Sequence, residues 1–213
     1  MAEELGKIKR PTVDSFKKGR KLFFIPLIYG GEDSPKEYNE RFNKYWSQVE
    51  KQIIDLTLKL GEVNRIYHEL ISLADKEGGD AIKELNEKSH GIVEQCLAKN
   101  AQLEAVEDSD ILSEFMDWSR CLMIGLQNPN VAAKIYEFYA EAVKKRNEYI
   151  AGKIDETLQE NEIGILLMRE NHQVQFPSDI QLFYVAPPAL DEIKRWLRER
   201  EMKASSQDST GQT

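Results

Sequence analysis

The sequence contains few of the residues that build catalytic or metal sites, since its 213 positions include only two cysteines and three histidines. Cys96 and Cys121 lie far apart, outside any CxxC or CxxH spacing, so a structural zinc centre is not expected. Two unlinked thiols in a reducing compartment are the simplest interpretation, although a disulfide between them stays compatible with the sequence. GxSxG, GxGxxG and GxxxxGK[ST] motifs are also absent, so no motif supports nucleophilic catalysis or nucleotide binding.

The chain also lacks a long apolar run and an excess of basic charge. No stretch approaches the roughly eighteen apolar residues that span a bilayer, and the first apolar run, 22–29, has no signal-cleavage pattern after it. The formal charge of −8 disfavours binding to nucleic acid or anionic membranes, so we expect an acidic cytoplasmic protein. The basic segment 1–20 is interpreted as a flexible leader, or alternatively as a tail for phosphate-rich partners. The polar segment 204–213 is predicted to be disordered.

Apolar patterning predicts a helix-rich α/β fold. Compact apolar runs at 22–29, 164–168 and 181–186 are predicted to be strands. At 63–68, the Val, Ile and Tyr content favours a short strand over a helix. Strands at both ends of the chain around a long helical middle predict a small, mostly parallel sheet in one domain that spans 21–203.

Local signals mark where the helices begin and end. Ser34-Pro35 predicts the N-terminus of the first helix, and Gly61 its C-terminus. Gly78–Gly79 is interpreted as a break that opens a helix from about residue 80 to 99. Asn128-Pro129 predicts the start of the longest helix.

Two short patterns resemble ligand sites but are better explained by structure. Glu87 and His90 form an ExxH pair, yet di-iron bundles require two such pairs and two further glutamates. Gly30–Gly31 lies where a phosphate loop would sit, but the adjacent Glu32 and Asp33 would repel phosphate. We therefore predict no metal site and name no cofactor.

Charged side chains follow two of the predicted strands. Glu69 follows the strand at 63–68, and Glu170 and His172 follow the strand at 164–168. Ligands of open α/β sheets bind at the carboxyl ends of the strands, which makes these residues site candidates. His172 with Glu170 or Glu69 could form an acid/base pair, and Arg146 on the long helix could hold an anionic intermediate. The alternative interpretation is that Glu170 and His172 are solvated loop residues.

The segment 144–174 resembles the closing segment of the TraB/ChaN/erythromycin-esterase superfamily, in which an arginine-bearing helix precedes a strand and a histidine-bearing turn. The segment 22–35 resembles that group's opening strand. The matching side chains are Arg146, Asn147, Ile150, Ala151 and Ile154 on the helix, His172 in the turn, and Glu69 after the second strand. The resemblance implies an α/β topology with its site at the strand ends. The group's opening G-x-x-H has no histidine here, so one metal ligand of its hydrolytic site has no counterpart.

Two functional hypotheses follow. The first, which the absence of an intact motif favours, is a non-catalytic domain that binds a protein partner or a small ligand. The second is a hydrolase-like enzyme with a degenerate TraB/ChaN-type site that uses His172 with Glu170 or Glu69. Convergence of His172, Glu69 and Arg146 in a concave pocket, within hydrogen-bonding distance or the span of one water molecule, is the geometric condition for the second.

Self-association is compatible with either hypothesis. An exposed apolar helix face would support it, and core packing is the alternative use of the same side chains. The candidates are Phe138, Tyr139 and Tyr149 on the longest helix and Trp196 with Leu197 on the last.

Overall fold

The structure is a computed structural model that describes residues 18–31 and 34–208, with side chains described up to residue 203. The predicted leader, 1–20, and the predicted tail, 204–213, lie largely outside the described residues. Their described parts are a bend that precedes the first strand and the C-terminal end of the last helix.

The described chain alternates between short strands and longer helices. In chain order the elements are β1 (Lys21–Pro26), α1 (Lys36–Leu60), β2 (Arg65–His68), α2 (Asp75–Leu85), α3 (Glu87–Leu97), β3 (Gln102–Glu104), α4 (Ser109–Met123), α5 (Pro129–Thr157), β4 (Ile163–Met168), β5 (Gln181–Tyr184) and α6 (Pro188–Asp208).

The strands form one parallel sheet in the order β3-β2-β4-β1-β5, which confirms the helix-rich α/β fold. The central strand β4 pairs with β1 on one side, where Phe23 lies opposite Ile165, and with β2 on the other, where Ile66 also lies opposite Ile165. The strand predicted at 63–68 is therefore confirmed as β2. Parallel pairing requires a crossover for each connection, and long helices supply most of these crossovers.

Helices cover both faces of the sheet. Phe23 and Ile165 point to one face and belong to a core with Val49 of α1. Phe24 points to the other face, where it belongs to a second core with Ile150 of α5. Burial on both faces explains why β1 and β4 read as continuous apolar runs instead of alternating ones.

Gly78–Gly79 does not open a helix over 80–99, so that prediction was wrong. Both glycines lie inside α2, and the helical region is divided at Asn86, whose side chain caps α3 by accepting from the N–H of Ser89 at 3.2 Å. The reason is close packing, because a Cβ on Gly78 would lie 2.4 Å from the carbonyl oxygen of Leu73. Gly78 thus permits a tight approach of two backbone segments, and neither glycine stops the helix.

Helices α4 and α5 form a hairpin whose inner half is packed and whose outer end is exposed. Phe115 stacks on Tyr139 with ring centres 5.9 Å apart, and Trp118 stacks on Phe138 at 4.9 Å. At the outer end, Ile124 is 70% exposed and Met123, Val131 and Tyr136 are exposed as well. Within residues 18–31 and 34–208, no helix has the length and apolar character needed to cross a membrane.

The candidate side chains for self-association divide into packed and exposed members. Trp196 lies between α1 and α6, 5.6 Å from the ring of Tyr38, and Tyr139 stacks inside the hairpin. Phe138 and Leu197 are more than two-fifths exposed. Self-association therefore stays a prediction, and the outer hairpin end is one place where exposed apolar side chains cluster.

Candidate functional site

Four charged side chains meet at the carboxyl edge of the sheet. Glu69 follows β2, Glu107 comes shortly after β3, Arg169 follows β4, and Arg146 projects from α5. The carboxyl ends of parallel strands share one edge, which brings together residues up to 100 positions apart in the chain. The side chains of both glutamates are only 1% exposed and that of Arg146 is 6% exposed, so these charges are held away from water.

The four charges are arranged as two linked ion pairs. Arg146 Nε donates to Glu107 Oε2 at 2.9 Å and to Oε1 at 3.1 Å, and its Nη2 also donates to Glu107. Arg169 Nε donates to Glu69 Oε1 at 3.0 Å, while Glu69 Oε2 lies 3.8 Å from Arg146 Nη2. The guanidinium of Arg146 also lies 4.6 Å from the ring centre of Phe115, a cation–π contact. Two positive and two negative charges therefore balance within the cluster.

The buried position of Glu69 alters the protonation of its carboxyl group. Burial raises its pKa above the usual range, and the nearby guanidiniums of Arg169 and Arg146 oppose that shift without cancelling it. The hydroxyl of Tyr29 lies 3.5 Å from Glu69 Oε1, and burial raises the pKa of Tyr29 as well, which keeps the phenol a hydrogen-bond donor. Glu69 takes up a proton more readily than an exposed glutamate does.

Glu107 also stabilises an unusual backbone turn. Leu70 has a φ of +66°, in the left-handed region, and its N–H donates to Glu107 Oε1 at 2.9 Å. The same carboxylate thus holds the turn after β2 and the guanidinium of Arg146. Sequence reasoning missed Glu107, although it lies shortly after a strand, β3, just as Glu69 lies after β2.

A cavity of about 290 Å³ opens beside the charge cluster. Its volume lies near the lower end of the range for small-molecule sites. Three of the four predicted site residues line it, namely Glu69, Arg146 and His172, and the rest of the wall comes from Arg169, Asn147, Asn171, Gln173, Phe115, Tyr139, Val143 and Met168. Glu69, Arg146 and His172 thus line one cavity, but no hydrogen bond joins His172 to Glu69 or Arg146 among the described residues, so the close convergence that the hydrolase hypothesis requires stays a prediction.

Asn147 contributes to the cavity wall an amide group without a hydrogen-bond partner among the described residues. It is 8% exposed, and its side-chain amide has no hydrogen-bond partner in the part of the chain that the structure describes. The amide is nevertheless accessible from the cavity, because the fully enclosed side-chain polar atoms without a partner among the described residues are Trp46 Nε1 and Gln181 Oε1. A ligand in the cavity would supply the missing partner.

His172 faces the cavity as a neutral imidazole. Its ring lies 4.8 Å from the ring of Phe24 and 5.7 Å from that of Phe176, and burial lowers its pKa. Its Nδ1 accepts from the N–H of Val174 at 3.2 Å, which places the proton of the neutral ring on Nε2. No described residue accepts from this Nε2, so it is a further donor for a ligand.

Glu170 lies apart from the other predicted site residues. It accepts hydrogen bonds from the hydroxyl of Tyr184 and, at 2.6 Å, from Lys194 Nζ on α6. His172 and Glu170 are thus two residues apart in the loop after β4 but contact different elements. No contact between them, or between His172 and Glu69, occurs among the described residues.

The metal-like ExxH pattern lies on α3, away from the cavity. His90 is buried, and its Nδ1 lies 3.7 Å from an oxygen of Glu94 on the same helix. Across the described ranges, no group of three or more His, Cys, Asp or Glu side chains could hold a metal ion. The cavity wall itself offers arginine, amide and imidazole groups together with the carboxyl group of Glu69.

Comparison with known proteins identifies no relative: no family model matches the chain, and neither a curated protein nor a solved structure is significantly similar. The resemblance of segments 22–35 and 144–174 to the TraB/ChaN/erythromycin-esterase superfamily stays a prediction. The function of the cavity has to follow from its own side chains.

Proposed function

We propose that the protein binds a small ligand with an anionic group, a carboxylate or a phosphate, in the cavity at the carboxyl edge of the sheet, and that it does so without catalysis. The observation that carries the proposal is the side-chain amide of Asn147, which opens to the cavity and has no hydrogen-bond partner among the described residues.

The guanidinium and imidazole groups of the cavity that have no partner among the described residues are all donors, and its amides can donate as well. Both terminal nitrogens of Arg169, Nη1 of Arg146, Nε2 of His172 and the amide of Asn147 have no partner within the described part of the chain. Donors in such number favour a ligand rich in acceptor oxygens, and hydrogen bonds from a guanidinium to an oxyanion are among the strongest in proteins. A carboxylate or a phosphate satisfies them and a cation does not.

The charge balance of the cluster links anion binding to pH. Glu69 and Glu107 already neutralise the two arginines, so an added anion places excess negative charge beside Glu69. Like charges raise the pKa of a carboxyl group, and the pKa of Glu69 is already raised by burial. Anion binding therefore favours protonation of Glu69, and the affinity increases as the pH falls towards that pKa.

The contacts of the candidate acid/base groups favour binding over catalysis. His172 is paired with no carboxylate, and Glu69 Oε1 is occupied by Arg169 while its Oε2 faces Arg146. No serine, threonine or cysteine belongs to the cavity wall that the described residues form. A pair that abstracts a proton and a nucleophile that it would activate are both missing.

A hydrolase-like activity is the second candidate. The raised pKa of Glu69 favours it, because a carboxyl group that titrates nearer neutral pH can act as a general acid or base. In that case Glu69 would exchange the proton, Arg146 would stabilise an anionic intermediate, and His172 would donate from Nε2. Glu170, which contacts Lys194, would take no part.

Calorimetric titration with acetate and with inorganic phosphate tests the proposal. Asn147→Ala and His172→Ala are expected to weaken binding of the preferred anion by about 10-fold or more, the effect of losing a hydrogen bond to a charged group. Asn130→Ala is the matched control, because Asn130 lies exposed on the same helix. Failure of both anions to bind, or equal binding by the Asn147 and Asn130 variants, would overturn the proposal.

A hydrolysis assay separates the two candidates. p-Nitrophenyl acetate and p-nitrophenyl phosphate are the probes, and we expect no turnover that differs between the wild type and Glu69→Gln. Turnover that is lost in Glu69→Gln, while circular dichroism shows the variant to be folded, would replace the binding function with the hydrolase.

A further inference from the structure

A second depression adjoins the cavity on the side of α6. It has a volume of about 350 Å³ and shares Arg169 and Asn171 with the cavity. We call it the α6 groove. Its other lining residues are Pro26, Leu27 and Ile28 after β1, Glu170 in the loop after β4, and Leu190, Ile193, Lys194 and Leu197 on α6.

We propose that the ligand carries an apolar chain that lies in the α6 groove, with its anionic group at Arg169, so that it is an amphipathic carboxylate or phosphate. This inference rests on the proposed anion site and extends it. It names the class of ligand that fits both the cavity and the depression next to it.

The charges at the groove indicate which end of the ligand lies where. Lys194 and Glu170 pair with each other at 2.6 Å, so their charges cancel. Arg169 uses Nε for Glu69, and its two terminal nitrogens have no partner among the described residues, while its side chain is 44% exposed. The hydrogen-bond donors of the groove that have no partner among the described residues thus lie at the end that the groove shares with the cavity. An anionic group fits that end, and a cationic group does not.

The groove has apolar walls and is long enough to hold an alkyl chain. Leu190 and Ile193 are 3% and 2% exposed and form a packed floor, whereas Leu197, one turn further along α6, is 42% exposed. From Leu190 to Leu197 the helix advances about 10 Å, which matches about eight carbons at roughly 1.3 Å each. Burying such a chain against Leu197 removes apolar surface of both partners from water.

Chain-length series of n-alkyl carboxylates and n-alkyl phosphates test the inference by titration calorimetry below micelle-forming concentrations. Each methylene that becomes buried is expected to tighten binding by up to about fourfold, so octanoate or octyl phosphate should bind far more tightly than acetate or methyl phosphate. The series that gains affinity with length identifies the head group. Octylamine, with the same chain and the opposite charge, is expected not to bind.

Leu197→Ser is the groove variant, and Leu58→Ser is its matched control, because Leu58 is 80% exposed on α1. We expect Leu197→Ser to weaken octanoate or octyl phosphate binding at least threefold while the short-chain affinity is unchanged, and Leu58→Ser to alter neither.

The outcomes separate this inference from the proposed function. Binding of the short anions that depends on Asn147 but does not tighten with chain length overturns the groove and leaves the anion site standing. Equal effects of Leu197→Ser and Leu58→Ser on the long chains, or octylamine binding as tight as octanoate binding, overturn the groove as well. Failure of both series to bind overturns the proposed function and the inference with it.

Discussion

Replacing Glu107 by Gln is expected to destabilise the protein by about 3 kcal/mol. The carboxylate is 1% exposed and accepts two hydrogen bonds from Arg146 Nε, at 2.9 and 3.1 Å, and another from its Nη2. The amide can still accept from the N–H of Leu70, but it carries no charge. The guanidinium of Arg146 is then left in the interior with Glu69 as its nearest anion, at 3.8 Å. Breaking a buried ion pair by removing one partner costs about 3–5 kcal/mol, and the retained hydrogen bond places Gln near the lower limit.

Urea unfolding followed by circular dichroism measures the change. With a slope of about 2–3 kcal/mol per molar, a loss of about 3 kcal/mol lowers the midpoint by about 1–1.5 M. Glu114→Gln is the control, because it breaks the exposed pair with Lys145, at 3.0 Å, for less than about 1 kcal/mol. The double variant Glu107→Gln/Arg146→Met removes both charges and is expected to regain part of the loss. A midpoint for Glu107→Gln within 0.3 M of the control, roughly 1 kcal/mol, would refute this reasoning.

Three further predictions concern the core, the helices and the surface. His68 is fully buried, and burial lowers its pKa to about 4. Its neutral form therefore contributes about 3 kcal/mol to the free energy of unfolding above pH 6.5, and this contribution is lost as the pH falls towards 4. We expect His68→Gln to reduce the dependence of that free energy on pH between 6.5 and 4, and an unchanged dependence would contradict this. Gly164→Ala places a Cβ 3.0 Å from two core side chains and should lower stability by about 1–3 kcal/mol. The control Gly152→Ala, in α5, places a Cβ with nothing within 4 Å and should raise stability by about 0.5–1 kcal/mol. A higher melting temperature for Gly164→Ala than for Gly152→Ala would show the packing argument to be wrong. Self-association through the outer hairpin end predicts a lower light-scattering mass for Met123→Ser/Ile124→Ser than for the wild type, and equal masses would place the contact elsewhere.

The sequence predicted the centre of the sheet better than its edge. Strands β1 and β4 lie between two layers of helices, so each is a continuous apolar run that is visible without any alignment. Strand β3 has only three residues, and its boundaries follow from pairing with β2, a tertiary contact that no local pattern encodes. The glycines of α2 were misread for the same reason, since the approach of Leu73 to Gly78 is a property of the folded chain.

The candidate site was located by the rule that ligands bind at strand ends. That rule pointed to Glu69 and His172, and both line the cavity. The rule could not tell that Arg169 belongs to the charge cluster and Glu170 does not. The two side chains bind different partners, Glu69 and Lys194, and the second partner is in place only when α6 packs on the sheet. Asn147 matched a family pattern, but its missing partner is visible only after its neighbours are placed.

The pairing of β1 has a consequence for how this protein is made. Its partners are β4 and β5, and the nearer one begins about 140 residues downstream. A ribosome that adds 5–20 residues per second needs on the order of ten seconds to supply them. During that interval neither partner strand exists for the run Leu22-Phe23-Phe24-Ile25. The nascent chain therefore depends on its own helices, or on a chaperone, to shield this apolar run until β4 has been synthesised.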